Sequence, residues 1–247
     1  MKRPVFFSAA ALRFVAFTLL VSILSLSVSV AADGRSEPVL ALLAVKNAEP
    51  AERTVIIDAG HGGFDGGATA IYGGETVVEK DLNLSVAKRL CALFGAAGIP
   101  CVMTRDSDVM LGKGKAEDLR NRLELAKSFR SPVFISIHQN KFPDESCKGL
   151  QVYYSKNSDE SETLALFVQN VAKMYLDGGN DRKIKRADSS IYLLDRLKCP
   201  AVLVECGFLS NAEECEKLQD DGYQKQLAAV IFAAVAEFCG QDLESKE

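Results

Sequence analysis

Short runs of β-branched and other apolar residues alternate along this chain with amphipathic stretches. Of all features of the sequence, this alternation restricts the possible folds most. Runs such as Val-Ile-Ile and Val-Phe-Ile-Ser-Ile are apolar at successive positions, so both faces of each strand must be covered. Strands covered by helices on both faces form a layered α/β domain. With 48% hydrophobic residues, the chain can bury one such core. We expect a single domain at residues 54–240, preceded by a linker at 32–53 and followed by a C-terminal tail at 241–247.

The same pattern predicts where the main elements lie. The predicted strands are Thr54–Ala59, Cys101–Thr104, Val133–Ile137, Leu150–Tyr154, Ile191–Leu194 and Ala201–Val204. Apolar residues at helical spacing predict helices at Leu82–Phe94, Ala116–Phe129, Glu160–Leu176 and Tyr223–Phe238. Gly98, with Pro100 just beyond it, is expected to end the first of these helices.

The N-terminus has the features of an export signal. Lys2, Arg3 and Arg13 precede an uncharged stretch at residues 14–32, and small residues near its end offer a cleavage site. Residues 1–31 are therefore interpreted as a cleaved signal peptide. A retained membrane anchor is the alternative, because the stretch approaches the roughly 20 residues that cross a bilayer. In both cases the rest of the chain is expected outside the cytoplasmic membrane.

Charge and cysteine usage exclude two classes of function. The chain has 29 Lys and Arg against 33 Asp and Glu, a formal net charge of -4, so nucleic-acid binding through bulk positive charge is not expected. No two of the seven cysteines are spaced as Cys-x-x-Cys, so a metal site or redox centre built on that motif is not expected. Most are expected to be small buried residues, with one or two disulfides left open and no pairing readable.

The chain has only two histidines, and both follow predicted strands. His61 comes after Thr-Val-Ile-Ile-Asp-Ala-Gly, His138 ends Val-Phe-Ile-Ser-Ile, and Glu205 follows Ala-Val-Leu-Val. If the three strands are parallel, these side chains gather at one sheet edge, where α/β proteins bind ligands. Glycines around His61 let a ligand approach closely. The segment lacks the Gly-Lys-Ser/Thr and G-x-G-x-x-G patterns of nucleotide sites.

Two imidazoles and one carboxylate are a ligand set for catalytic zinc, which takes three protein ligands and keeps a fourth position for water. Glu79 is the preferred third ligand, because it begins the helix that returns from the glycine loop. Asp81 is its rival, and Asp58 and Asp65 are weaker candidates. The spacings match no short H-E-x-x-H motif, so the residues alone leave the metal site open.

Six motifs then occur in order over residues 54–238. They are Gly60-His61-Gly62-Gly63-x-Asp65-x-Gly67-Ala68, Glu79-Lys80 with Asn83-Leu84, Thr104-Arg105-x-x-Asp108, Leu119-x-x-Arg122-x-x-x-Ala126, Ser136-Ile137-His138-x-Asn140 and Pro200-Ala201-Val202-Leu203-Val204-Glu205-x-Gly207-Phe208-Leu209-Ser210-Asn211. In this order they resemble the zinc-dependent N-acetylmuramoyl-L-alanine amidases of the bacterial cell wall.

The resemblance implies a mixed, largely parallel sheet flanked by helices on both faces. It implies a hydrolase of peptidoglycan that cleaves the amide between the lactyl group of N-acetylmuramic acid and L-alanine. His61, Glu79 and His138 would bind zinc (Zn²⁺), and Glu205 would be the catalytic residue. The single-domain build and the segment Ile191–Leu194 are closest to the spore-cortex, germination-specific branch. An activating protein is not readable from the sequence.

Other polar residues of these motifs are given supporting roles. Arg105 and Arg122 are expected to be ion-pair partners, not substrate clamps. Asp65 is expected to order the glycine loop or to orient His61. Asn140 is expected to hydrogen-bond within its own turn, with a hydrogen bond to substrate as the alternative.

Two other functions stay open. A cysteine amidohydrolase would need Cys206 beside one of the histidines, yet adjacent strand residues point to opposite faces, so Cys206 and Glu205 cannot both face the site. A non-catalytic wall-binding protein would be expected to have lost one of the four site residues, and all four are present. The chain departs from the family pattern at Gln139, where Ala is usual, and at Cys206, where Leu or Val is usual.

Overall fold

A computed structural model describes residues 53–240. The predicted leader, the linker up to residue 52 and the C-terminal tail lie outside the described residues, and their assignments stay predictions. Between residues 53 and 240, no helix combines the length and apolarity that a membrane crossing requires.

Strands and helices alternate along the described residues. The strands are β1 (Thr54–Ala59), β2 (Thr69–Tyr72), β3 (Glu75–Val78), β4 (Cys101–Met103), β5 (Pro132–Asn140), β6 (Gln151–Tyr154), β7 (Lys185–Arg186) and β8 (Ala201–Phe208). The helices are α1 (Glu79–Ala96), α2 (Lys115–Lys127), α3 (Glu160–Tyr175), α4 (Tyr192–Arg196), α5 (Ala212–Gln219) and α6 (Asp221–Gly240).

Six strands form one sheet in the order β4-β1-β5-β8-β6-β7. The first four are mutually parallel, β6 runs antiparallel to β8, and β7 runs parallel to β6. This is the mixed, largely parallel sheet that was expected. The remaining two strands, β2 and β3, form a separate antiparallel hairpin that leads directly into α1.

Helices cover both faces of the sheet and divide the core in two. On one face, apolar residues of α1, α3, α5 and α6 pack together with Val55 and Ile57 of β1. On the other face, residues of α2 and α4 pack with Ile56, the strand residue between them. The central strands are apolar at successive positions because each must contribute side chains to both cores.

Four predicted helices are present, and the first ends before Gly98, which has a φ of 72°. The predicted strand at Ile191–Leu194 is wrong, because the chain there forms the short helix α4. Leu193 and Leu194 are buried, and a four-residue apolar run does not distinguish a strand from one buried helical turn. Strands β5 and β8 also extend beyond their predicted ends. His138 and Glu205 therefore belong to these strands, close to their C-terminal ends, and do not follow them.

Candidate metal centre and active site

Three adjacent parallel strands bring the predicted site residues to one edge of the sheet. His61 follows the end of β1 by two residues, His138 lies near the end of β5, and Glu205 lies near the end of β8. His138 and Glu205 are direct neighbours in the register of β5 and β8. The parallel arrangement required for convergence is thus present.

The side chains of His61, Glu79 and His138 form one cluster, with one ligand atom from each lying within 4.8 Å of the others. Glu79 Oε1 is 3.3 Å from His61 Nε2 and 2.8 Å from His138 Nδ1. The imidazole ring centroids are 4.9 Å apart and the rings are steeply inclined, at 77°. Two imidazole nitrogens and one carboxylate oxygen that converge in this way can hold a divalent metal ion such as zinc.

Glu79 is fixed at the start of α1 by several donors. Its Oε2 accepts a hydrogen bond from the Ala68 amide at 2.7 Å, and its Oε1 accepts from the Gln139 amide at 3.1 Å. Burial raises the pKa of Glu79, but hydrogen bonds and positive charge from His138 and His61 outweigh it and hold the pKa well below its ordinary value. The side chain is therefore ionised at neutral pH, as a carboxylate metal ligand must be.

The rival carboxylates lie elsewhere. Asp81 is exposed on α1, and Asp58 is buried beneath the site in hydrogen bonds with Arg122 and Ser136. Asp65 contacts His61 at the ring nitrogen that faces away from Glu79. Of the four candidates considered for the third position, only Glu79 joins both histidines.

Asp65 supports the site in both of the expected ways. Its Oδ2 lies 2.9 Å from His61 Nδ1, and its Oδ1 accepts a hydrogen bond from the Gly67 amide at 3.3 Å. Burial raises the pKa of Asp65, but the contacts with His61 and Lys115 lower it below its ordinary value overall. A carboxylate this close to Nδ1 favours the tautomer that carries its proton there and leaves Nε2 available as a metal ligand.

Two glycines are required by the close approach of backbone and site. A Cβ at Gly60 would lie 2.3 Å from His138 Nε2, and a Cβ at Gly67 would lie 2.4 Å from Glu79 Oε2. Gly67 also has a φ of 69°, which L-residues rarely adopt. Contact with His138 and Glu79 therefore explains the glycines at positions 60 and 67.

The backbone at His61 is strained and braced by arginines. His61 has a φ of 62°, the one positive φ of a non-glycine residue within 53–240. Arg122 Nη2 donates to the His61 carbonyl at 2.7 Å, and Arg105 Nη2 donates to the Gly60 carbonyl at 3.0 Å. Both guanidinium groups also donate to the Ala59 carbonyl. Arg105 thus binds backbone carbonyls instead of the expected ion-pair partner.

Arg122 is the centre of a buried polar network under this turn. The network comprises Asp58, Thr104, Asp118, Arg122 and Ser136. Arg122 is 1% exposed, its Nη1 lies 2.7 Å from Asp58 Oδ1, and its Nε lies 2.8 Å from Asp118 Oδ2. Burial raises the pKa of Asp58, but Arg122 and Ser136 outweigh it and lower the pKa below its ordinary value. The expected ion pairs of Arg122 are present.

Asn83 and Gln139 contribute to the site but were not predicted to do so. Asn83 Nδ2 donates to Glu79 Oε1 and to the Gly60 carbonyl, each at 3.2 Å. Gln139 Nε2 donates to Asn83 Oδ1 at 3.2 Å. The spacing of four residues from Glu79 puts Asn83 on the same face of α1, a signal that the sequence contained. The sequence contained no comparable indication that Gln139 would contact the site.

Glu205 lies beside the cluster of His61, Glu79 and His138 and forms no hydrogen bond or ion pair with these three side chains. Its Oε2 is buried and has no hydrogen-bond partner among residues 53–240. Burial raises the pKa of Glu205 to about 7, with Glu79 adding to the increase and His138 and His61 opposing it. A carboxyl group that titrates near neutral pH is suited to accept and donate protons.

Cys206 points away from the site, as strand alternation requires. It is 1% exposed and packs in the larger core, and burial raises the pKa of its thiol well above its ordinary value. A buried thiol that stays protonated is a poor nucleophile. The geometry therefore argues against the cysteine amidohydrolase alternative.

The raised pKa of Glu205 predicts a pH dependence of stability in protein freed of metal. The folded-state pKa of about 7 exceeds the ordinary value of 4.5, so the folded state holds the proton more tightly. Between these values the unfolded chain binds fewer protons, and stability falls as the pH rises, by up to ~3 kcal/mol. Urea unfolding at pH 5 and pH 7.5 should show this fall.

The Glu205→Gln variant is the control for that measurement, because glutamine does not titrate. His138, whose pKa is raised mainly by Glu79 against the effect of burial, contributes a fall at higher pH in both proteins. Glu205 is one of the groups that raise the pKa of His138, so the difference between the two proteins measures the titration of Glu205 together with its effect on His138. Equal pH profiles for the two proteins would contradict the assignment.

The chain is similar to known proteins over most of its length. Residues 55–237 match the family model described as N-acetylmuramoyl-L-alanine amidase. The chain is 36% identical over 194 residues to the germination-specific N-acetylmuramoyl-L-alanine amidase of Bacillus subtilis, covering 75% of this chain and 79% of that protein.

Solved structures show the same fold. The CwlD amidase from Clostridioides difficile, solved in complex with the GerS lipoprotein, has a TM-score of 0.72 and 36% identity over 76% of this chain and 99% of that one. The N-acetylmuramoyl-L-alanine amidase AmiC2 of Nostoc punctiforme has a TM-score of 0.67 and 32% identity over 77% and 98%. The family match spans most of the chain, including the whole of the site described above, and this enzyme therefore belongs to the N-acetylmuramoyl-L-alanine amidase family.

Proposed function

We propose that this protein is a zinc-dependent amidase that hydrolyses the bond between the lactyl group of N-acetylmuramic acid and L-alanine in peptidoglycan. The observation that carries the proposal is the convergence of His61, Glu79 and His138, with Glu205 held beside them and bound to none of them. The reaction and the substrate are those of the family to which the chain belongs.

The donor set supports zinc at this position. One ligand atom comes from each of His61, Glu79 and His138, and this number leaves a coordination position for water or substrate. The contacts of Asp65 with His61 and of Asn83 with Glu79 orient the donors. When bound, zinc acts as a Lewis acid that polarises the amide carbonyl and acidifies water.

Glu205 is the proposed proton carrier. Its unpartnered Oε2 accepts a proton from the attacking water and then delivers it to the nitrogen of the departing L-alanine. Burial raises the pKa of Glu205 above its ordinary value, which favours proton transfer to and from this carboxyl group near neutral pH. A position beside the cluster, without coordination, keeps this carboxyl group free to exchange the proton.

The biological setting follows from the relatives. The Bacillus subtilis protein is named germination-specific, and this chain covers 79% of its length, so remodelling of the spore cortex or cell wall is the proposed role. The Clostridioides difficile amidase is solved with a lipoprotein, which supports a protein partner for this chain as well. The proposed location is outside the cytoplasmic membrane, reached through the N-terminal leader or held by it as an anchor.

Metal removal should abolish the activity. The chelator 1,10-phenanthroline is expected to stop hydrolysis of purified peptidoglycan, and added Zn²⁺ should restore it, because the three ligands supply no nucleophile of their own. The non-chelating isomer 1,7-phenanthroline is the matched control. Mass spectrometry of the products should show free stem peptides that begin with L-alanine. Shortened stems that remain attached to the glycan would instead identify a peptidase.

A further inference from the structure

Two of the seven cysteines meet between helix α1 and strand β4. Cys91 lies on α1, and Cys101 is the first residue of β4, so the two are ten positions apart in sequence. Their Sγ atoms are 2.7 Å apart, ~0.7 Å more than the ~2.05 Å length of a disulfide bond. The two sulfur atoms are therefore closer to each other than two non-bonded sulfur atoms normally lie.

We propose that Cys91 and Cys101 form an intramolecular disulfide in the exported protein. The oxidant is a disulfide of the thiol-exchange class, such as an oxidised thiol oxidoreductase or glutathione disulfide. A bond forms between the two Sγ atoms, the oxidant's sulfur–sulfur bond breaks, and the two thiol protons end on the two thiols of the reduced oxidant. The inference rests on the proposed export of the chain, because disulfides persist in oxidising compartments.

The surroundings favour a structural bond over a reactive one. Both cysteines are only partly exposed, and both pack against the larger apolar core. Burial and the neighbouring Cys91 raise the pKa of the Cys101 thiol well above its ordinary value. A thiol with a raised pKa is a poor leaving group, so a bond formed there resists later reduction.

The bond would connect two elements that support the proposed metal centre. Helix α1 begins at Glu79, and β4 leads directly into Thr104 and Arg105, which bind Asp58 and the carbonyls of the glycine loop. Closing the short loop between the cysteines also restricts the unfolded chain, which stabilises the folded state. The expected effect is a melting temperature ~5–8 °C higher in the oxidised protein.

The test uses the full-length chain incubated with glutathione disulfide. Non-reducing peptide mapping should give a linked pair of peptides containing Cys91 and Cys101, lighter by two hydrogens than the separate peptides. Reduction should lower the melting temperature by ~5–8 °C in the wild type. The Cys91→Ser and Cys101→Ser variants should show no such shift, whereas the control Cys147→Ser should retain it.

Recovery of both peptides with free thiols would overturn the proposal, as would a reduction-induced shift in Cys91→Ser equal to that of the wild type. Unfolding of one variant does not prevent the decision, because the mapping is made on the wild-type protein. The mapping measures no hydrolysis and needs no metal. Its failure is therefore distinguishable from failure of the proposed amidase function, which is read from the stem peptides released.

Discussion

Replacing Glu205 by Gln is expected to lower the rate of peptidoglycan hydrolysis by ~10²–10⁴-fold while zinc stays bound at one equivalent. Glutamine keeps the shape of the side chain but cannot accept the proton that the proposed mechanism assigns to Oε2. Metal binding should persist, because Glu205 is not among the three residues of the cluster. The rate is measured on purified peptidoglycan and the metal by elemental analysis of the same preparation.

The matched control is Glu237→Gln, an exposed glutamate near the end of α6. Its rate and metal content should equal those of the wild type. If Glu205→Gln loses the metal together with the activity, Glu205 is a ligand and the assignment of roles is wrong. If Glu205→Gln keeps near wild-type turnover, some other group transfers the proton.

Replacing Arg122 by Met is expected to lower the free energy of unfolding by ~3–5 kcal/mol, the largest loss among the single substitutions proposed for this protein. Methionine fills much of the volume of the arginine side chain, but Asp58 and Asp118 are then left buried without their counter-charge. The His61 carbonyl also loses its Arg122 donor, and the Ala59 carbonyl keeps only the donor from Arg105. Urea unfolding followed by circular dichroism measures the change.

Two comparisons make this measurement decisive. Arg120→Met, at an exposed position of the same helix, should change the free energy of unfolding by less than ~0.5 kcal/mol. Adding Asp58→Asn to Arg122→Met should recover part of the loss, because it removes one unpaired buried charge. A loss below 1 kcal/mol for Arg122→Met alone would show that the ion pairs contribute little.

The central strands could be predicted because they are buried on both faces and their sequences are unbroken apolar runs. The β2–β3 hairpin was missed although its signal is present, since Gly73-Gly74 separates two short β-prone segments and both glycines have positive φ. The segment at Ile191–Leu194 could not be assigned correctly from pattern alone, because its helical form depends on tertiary packing against the smaller core.

At the site, the convergence of two histidines and Glu205 could be predicted from their places at the ends of apolar runs. Glu79 was preferred to Asp81 from its place at the start of the helix, but the family resemblance was needed to exclude Asp81, because both lie in the first turn of the same helix. The bracing role of Arg105 and Arg122 could not be predicted, because they bind backbone carbonyls far away in sequence. Every residue has a backbone carbonyl, so a sequence does not indicate which carbonyls an arginine side chain will bind.

His138 of β5 and Glu205 of β8 are direct partners in the register of two hydrogen-bonded strands. The backbone pairing therefore fixes the spacing between a proposed metal ligand and the proposed proton carrier. A slip of one residue in either strand would reverse every side chain of that strand and turn His138 or Glu205 away from the proposed site. Insertions or deletions inside these two strands should therefore be excluded during divergence of the enzyme, whereas changes of length in the surrounding loops leave the spacing of the two groups intact.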